Sequence, residues 1–143
     1  SWPPGQARYV VAMLAELRTF RPRQYRLVVD GDQRDGPAML VSLGNGPAYG
    51  GGMRLCPTAD LHDGLLSMVW MGPLSRPALL RAFPRVYAGT HLAHPAIHEQ
   101  AVREVTLDAP GLVAYADGER IGALPITVRA APAAVRVLMP ADR

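Results

Sequence analysis

Val10, Val11, Met13, Leu14, Leu17 and Phe20 recur at steps of three and four, with Arg8, Glu16 and Arg18 between them. That spacing predicts an amphipathic helix over residues 7–20, its apolar stripe facing a core, ended by Pro22. The period then changes. Residues 25–30 form a short β-rich run closed by Gly31, and the polar stretch 33–36 reads as a continuation of that turn. Further strands are predicted at 38–43, at 53–56 (stopped by Pro57) and at 65–71. Ser75 is a good N-cap with Arg76 and Pro77 just inside it, and Leu79, Leu80, Phe83 and Val86 form a stripe. A second helix is therefore expected over residues 75–88, kinked or split at Pro84 and stopped by Gly89. Strands follow at 102–107, 113–116, 126–129 and 135–139, with an Asp117-Gly118 turn between two of them. Turn signals about every 8–12 residues predict a mainly β fold, a sandwich or barrel with two helices.

Composition narrows the class. The chain has 143 residues, 49% apolar and 19% charged, which fits one globular domain over residues 1–143. A domain of this size buries roughly 68–70% of its unfolded surface and needs no staple. The single cysteine, Cys56, excludes an internal disulfide and a Cys-based metal cluster. In an apolar run it reads as inert core and not as a nucleophile. All 15 positive side chains are arginine, which excludes a Walker A loop and Schiff-base chemistry. The net charge of +3 is scattered and aromatics are only 6%, which argues against a nucleic-acid stacking platform. No apolar run reaches the roughly 18 residues of a membrane span, and the opening Ser1-Trp2-Pro3-Pro4 does not read as a signal peptide.

Four stretches could carry chemistry. Gly44-Asn45-Gly46, followed by Tyr49-Gly50-Gly51-Gly52-Met53, lets a backbone approach a ligand closely, or else makes a bulged strand. It does not match a dinucleotide fingerprint. Asp60 and Asp63, three residues apart in a turn, can meet at a hard cation with backbone carbonyls completing the shell, or simply lead an Asp-Gly turn into a strand. Asp117-Gly118-Glu119 is a strong hairpin turn, and alternatively presents Asp117 as a carboxylate base toward a hydroxyl. His91, His94 and His98 invite a zinc reading, but Pro95 breaks any shared helical face and no cysteine or close carboxylate joins them. Packing and hydrogen bonding, or a surface loop, suits them better.

These motifs occur in one order: Gly-Asn-Gly, Tyr-Gly-Gly-Gly-Met, Pro-x-Ala-Asp-x-x-Asp-Gly-Leu-Leu, Gly-x-His-x-x-His-Pro, Asp-Gly-Glu. That order resembles the C-terminal domain of the diacylglycerol kinase-like lipid kinases, the family of bacterial lipid kinases and the sphingosine and ceramide kinases. The resemblance runs from about Arg8 to Pro140. It implies a β-sandwich that faces an N-terminal α/β domain across a cleft. The neighbouring domain would hold ATP on a Gly-Gly-Asp-Gly-Thr loop, and a lipid hydroxyl would receive the γ-phosphate with magnesium. On this match Asp117 is the base and Glu119 its neighbour in the motif. Asp60, Asp63 and the backbone of Leu65 fall where the family binds a structural magnesium. Asn45, Tyr49 and Gly50, Gly51 and Gly52 lie on the strand–loop facing the cleft. The implied site of action is the cytoplasm, peripheral at the inner face of the membrane.

The departures shape the expectation. No Gly-Gly-Asp-Gly-Thr occurs, and the sandwich strands that precede the first helix in the family are absent. The chain is thus expected to be part of a kinase, or a product that begins late, and to be inactive alone. Ser67 stands where many relatives place Asp. A sandwich short of strands exposes an edge, so self-association is expected. Two other readings stay open: a non-catalytic module with the same sandwich that binds lipid or a partner, and the related NAD kinase class. Asp-Gly-Glu sits better with lipid kinases.

Overall fold

The computed structural model describes residues 20–136. The helix expected over 7–20 lies outside the described residues but for Phe20. The strand expected at 135–139 lies outside them beyond Arg136, and Val135 and Arg136 carry no strand. Two antiparallel sheets face each other. One has the order β2-β1-β6-β9, from β1 (Arg23–Val29), β2 (Asp32–Ala38), β6 (Glu104–Asp108) and β9 (Ile126–Arg129). The other has the order β3-β4-β5, from β3 (Leu40–Gly44), β4 (Leu66–Met71) and β5 (Ile97–Val102). A separate hairpin joins β7 (Val113–Ala116) to β8 (Glu119–Ala123). One α-helix, α1 (Arg76–Ala88), lies among the described residues. The mainly β, sandwich-type architecture is as expected.

Alternation explains the layers. Leu27 and Val29 on β1 stand opposite Leu107 and Val105 on β6, all pointing inward. They meet Met68 and Val102 from the three-stranded sheet, with Trp70 edge-on to Tyr25 at 6.1 Å between ring centres. This is the sandwich core. The other face of the three-stranded sheet carries Val69, Met71 and Ile97, which pack with Met39, Cys56 and the Leu79 and Ala82 stripe of α1. The three-stranded sheet is therefore a shared wall between two cores.

The helix begins and ends on its sequence signals. The Ser75 hydroxyl accepts from the Ala78 N–H, Pro77 sits in the first turn, and Gly89 closes the helix in the left-handed conformation at φ 69°. Pro84 lies inside the helix without splitting it.

Three expectations need correction. Residues 33–36 are not turn but the middle of β2: the turn is only Asp30-Gly31, at φ 49° and 94°, and Val29 pairs with Asp32 across it. Residues 53–56 are loop, because no strand lies beside them; Cys56 is buried against α1 and the wall instead. The strand expected at 102–107 is two strands broken at Arg103, since β5 begins as early as Ile97 and takes in His98, Glu99 and Gln100.

Candidate functional site

Two hairpins carry the same Asp-Gly dipeptide in the same geometry. Asp30-Gly31 joins β1 to β2, and Asp117-Gly118 joins β7 to β8 at φ 50° and 86°. Positive φ at both central residues is what a two-residue turn of this class requires. The two carboxylates differ entirely in employment. Asp30 Oδ1 accepts from the backbone N–H of Arg103 (2.9 Å) and of Glu104 (2.8 Å), tying the turn to the β5–β6 break. The Asp117 carboxylate makes no hydrogen bond or ion pair among the described residues, and neither does that of Glu119. Both are exposed at the tip of their hairpin. A register shift between Ala114 and Tyr115 makes a bulge below that tip.

The glycine-rich loop follows β3 and Asn45. Gly50–Gly52 form a single 3-10 turn, with Gly51 and Gly52 at φ 74° and 80°. Tyr49 anchors it: its N–H donates to the Met53 carbonyl at 2.7 Å, and its hydroxyl donates to the Leu43 carbonyl and touches Ser42 Oγ. Burial pushes the Tyr49 phenol above its ordinary value, with the Asp117 carboxylate among the charges that push the same way, against the Ser42 hydrogen bond. Asn45 is exposed just beyond β3.

Asp60 and Asp63 are held by local turns. Asp60 Oδ1 accepts from the His62 N–H at 2.9 Å, and Asp63 Oδ1 from the Leu65 N–H at 2.8 Å. The second oxygen of each has no partner among the described residues. Leu61 between them packs over Gly46, so this loop adjoins the Asn45 loop. Two carboxylates and the Leu65 carbonyl are an all-oxygen donor set suited to a hard cation such as magnesium, completed by water. No cluster of three His, Cys, Asp or Glu able to hold a metal occurs among the described residues. His91 is buried against the Leu55 carbonyl, His94 accepts from the Ala96 N–H, and His98 on β5 pairs with Trp70 on β4.

Below these loops lies a polar chain that the pattern of the sequence did not disclose. Glu99 accepts from the Thr58 N–H at 3.2 Å and from the Ser67 hydroxyl. The Cys56 thiol donates to the Ser67 carbonyl at 3.6 Å. Glu99 thus holds the start of the Asp60–Asp63 loop to the wall, and puts a carboxylate beside position 67 after all. Gly44 is required here: a Cβ would stand 2.9 Å from Cys56 Sγ and 3.1 Å from the Tyr49 hydroxyl. The only available signals were Ser67 itself and one acid in a run too polar to read as a strand.

Burial pushes the Cys56 thiol from its ordinary 9.0 up to about 11, with the Glu99 charge adding to it and hydrogen bonds to Ser67 and Tyr49 opposing. Above pH 9 the unfolded chain therefore gives up a proton that the folded chain keeps. Stability from this group is complete below pH 9 and falls as pH climbs toward about 11. The whole gap is worth about 3 kcal/mol. Tyr25 and Tyr49, raised from 10.0 chiefly by burial, add to the fall only above pH 10. Cys56→Ala is expected to flatten a series of urea-denaturation midpoints between these onsets; an unchanged slope there would remove Cys56 as its source.

Comparison with known proteins places these features in a family. The model of the YegS C-terminal NAD kinase beta sandwich-like domain matches residues 1–139. A diacylglycerol kinase of Mycobacterium tuberculosis is 41% identical over 140 residues, which is 97% of this chain and 45% of that protein. Lipid kinase YegS of Escherichia coli K12 is 29% identical over 140 residues, 96% of this chain and 45% of that protein. The chain thus spans less than half the length of these relatives. A solved diacylglycerol kinase from Bacillus anthracis superposes with a TM-score of 0.60 at 21% identity, over 87% of this chain and 47% of that one, and so shares the fold. With a sandwich, an Asp-Gly-Glu hairpin and the motifs in family order, the chain belongs to the YegS C-terminal NAD kinase beta sandwich-like domain family.

Proposed function

We propose that this chain is the acceptor-side domain of an ATP- and magnesium-dependent lipid kinase that phosphorylates the hydroxyl of diacylglycerol or a similar lipid. The observation that carries the reading is the contrast between the two Asp-Gly hairpins. One carboxylate is bound into the fold, and the other stands exposed at its hairpin tip with no hydrogen bond or ion pair among the described residues. Asp117 takes the proton of the lipid hydroxyl as its oxygen bonds to phosphorus and the bond to the departing ADP oxygen breaks. Glu119, two residues along the same hairpin, flanks the base. Asn45 and the Tyr49–Gly52 loop line the acceptor side. Asp60, Asp63 and the Leu65 carbonyl would hold magnesium, which supplies fixed positive charge near the cleft.

ATP would be held mainly by an N-terminal α/β domain. Tyr115 and Ile121, 66% and 56% exposed on the hairpin that carries Asp117, suit a face that such a domain covers. Contact with the membrane would be peripheral and cytoplasmic; no helix among the described residues is long and apolar enough to cross a bilayer. Residues 1–143 form one domain in this reading, with an exposed sheet edge available for self-association.

The test is an assay of phosphate transfer from ATP to diacylglycerol in mixed micelles with magnesium. The 143-residue chain alone is expected to give no phosphatidate, and fusion to the nucleotide-binding half of the M. tuberculosis relative is expected to restore turnover. Turnover by the chain alone would mean that it builds its own ATP site and would overturn this reading. A soluble, folded fusion with no turnover would favour a binding module. One observation supports that second reading: a cleft of about 400 Å³ opens between the sheets, with Leu27, Met68 and Trp70 as an apolar floor and Arg34, His98 and Gln100 around it.

A further inference from the structure

The helix α1 is apolar on two sides. Leu79, Ala82 and Val86 are its buried residues, and Leu79 and Ala82 pack on the shared wall. Turned away from the wall, Leu80, Phe83, Pro84 and Tyr87 fall at steps i, i+3, i+4 and i+7, which makes a second stripe. Leu80 is 46% and Tyr87 45% exposed. Pro84 is exposed too, and the half-buried Phe83 ring stands edge-on to Tyr87 at 5.6 Å between centres. A surface helix ordinarily gives its outer side to charged and polar residues. An apolar stripe in that place marks a surface with a partner.

The charge beside the stripe says which partner. Residues 76–88 include Arg76, Arg81 and Arg85 and no aspartate or glutamate. Arg81 and Arg85 lie one turn apart along one flank of the stripe, both exposed, with no ion pair among the described residues. The gap between that flank and the 3-10 turn His91–Ala93 is lined with arginine, histidine and alanine and by no carboxylate. Arg54, also exposed, runs beside Gly89 at the helix end. Leucine and aromatic rings flanked by arginine are the composition of a helix that lies in the surface of a bilayer. The apolar side chains enter it, and the long cationic ones keep their heads among the lipid phosphates. A second copy of the chain suits this face poorly, since it would bring arginine against arginine with no acid between them.

We propose that the outer face of α1 docks on an anionic lipid bilayer, with Leu80 and Tyr87 entering the boundary between headgroups and acyl chains and Arg81 and Arg85 among the headgroups. The place of the helix gives this contact a use. The Arg54 N–H donates to the Val86 carbonyl at 3.0 Å, and Gly89 lies against Pro57. Residues 54–57 join the Gly50–Gly52 turn to the loop of Asp60 and Asp63. A bilayer on α1 thus adjoins the segment that links both loops of the candidate site, to which a lipid hydroxyl has to be delivered. That use rests on the acceptor-domain reading, whereas the contact with lipid is read from α1 itself.

Sedimentation of the 143-residue chain with vesicles tests the contact. The chain is expected to pellet with vesicles of phosphatidylglycerol and phosphatidylcholine in equal parts, and far less with phosphatidylcholine alone. Joint Arg81→Gln and Arg85→Gln should weaken binding by about fivefold for each arginine, the worth of one cation near an anionic surface. Joint Leu80→Gln and Tyr87→Gln should weaken it by roughly tenfold or more, and persist in doing so at high salt, where the arginines count for less. All four side chains are exposed and glutamine is a good helix former, so melting temperatures should hold within a few degrees. Joint Arg26→Gln and Arg103→Gln changes the net charge equally on other exposed positions and should leave binding within about twofold. No pelleting with anionic vesicles would overturn the proposal, as would full binding by either α1 variant or an equal loss in the control. Unchanged vesicle binding by the Leu80, Tyr87 variant together with a loss of self-association in sedimentation velocity would assign the face to a second copy instead. Fusion to the nucleotide-binding half separates this proposal from the kinase reading. The Arg81, Arg85 variant of the fusion should keep its turnover in mixed micelles and lose it on vesicles; vesicle binding with no turnover in either would sink the kinase reading alone.

Discussion

Asp117→Asn, placed in the chain fused to a nucleotide-binding half, is expected to cut phosphate transfer to lipid about 10²–10⁴-fold, the usual contribution of a general base. The substitution isolates chemistry from folding. Asp117 sits at φ 50°, which asparagine tolerates as well as aspartate, and Asn-Gly is the preferred dipeptide for such a turn. No hydrogen bond of the described fold depends on the charge. The melting temperature should therefore stay put while turnover collapses. Asp30→Asn is the matched control, since the same dipeptide sits in the same geometry. Its amide oxygen can still accept from the Arg103 and Glu104 N–H groups, so activity should survive with a modest loss of stability. Radiolabel transfer from ATP and thermal melts on all three proteins decide the matter. Turnover within a few-fold of the parent for Asp117→Asn would exclude this carboxylate as the base.

Leu27→Ala is expected to lower folding stability by about 2–5 kcal/mol. Leu27 is 0% exposed and stands at the centre of the sandwich core, opposite Leu107 and against the facing sheet. It also floors the cleft between the sheets, so part of the lost volume joins an existing space and the surroundings gain little by collapsing. Ile121→Ala is the comparison: a residue of like size, largely exposed on the hairpin, should change stability by no more than about 0.5 kcal/mol. Urea denaturation of the chain with each substitution would check both. A loss at Leu27 no larger than at Ile121 would mean that the sandwich core is not where stability resides.

Most of the strands were legible because their alternation is what burial on one face demands. Leu27 and Val29, or Val105 and Leu107, point inward at every second place. The helix was legible from Ser75 and Gly89, whose backbone roles are local. The elements that escaped are edge strands. β2 reads Asp-Gln-Arg-Asp-Gly-Pro-Ala, and Pro37 is tolerated because the outer side of β2 has no neighbouring strand among the described residues. β5 spends His98, Glu99 and Gln100 on contacts across the fold, including the Arg34–Gln100 hydrogen bond at 2.7 Å between sheets. Such partners are distant in sequence, and no local pattern announces them. The residues 53–56 misled in the opposite sense: Cys56 is buried by a loop folding onto a helix, which alternation cannot distinguish from pairing. At the candidate site, the Asp-Gly-Glu motif was plain. What separates Asp117 from Asp30 was not, because the Arg103 and Glu104 amides that occupy Asp30 lie over seventy residues away.

The shared wall has a consequence for how faithfully the chain pairs. A strand with water on one face is kept in register because slipping by one place would turn its apolar side chains outward. β4 has apolar packing on both faces, so the same slip would merely exchange the linings of the two cores. Hydrophobicity alone barely distinguishes the correct alignment of Leu66–Met71 from its neighbour. Discrimination falls to contacts with a side: the Ser67 hydroxyl that must find Glu99, the Trp70 edge that must find Tyr25, and Gly44, which leaves room opposite Ser67. Proofreading of the central strand is thus done by the residues that hold up the candidate site, so drift at that site would first appear as mispairing.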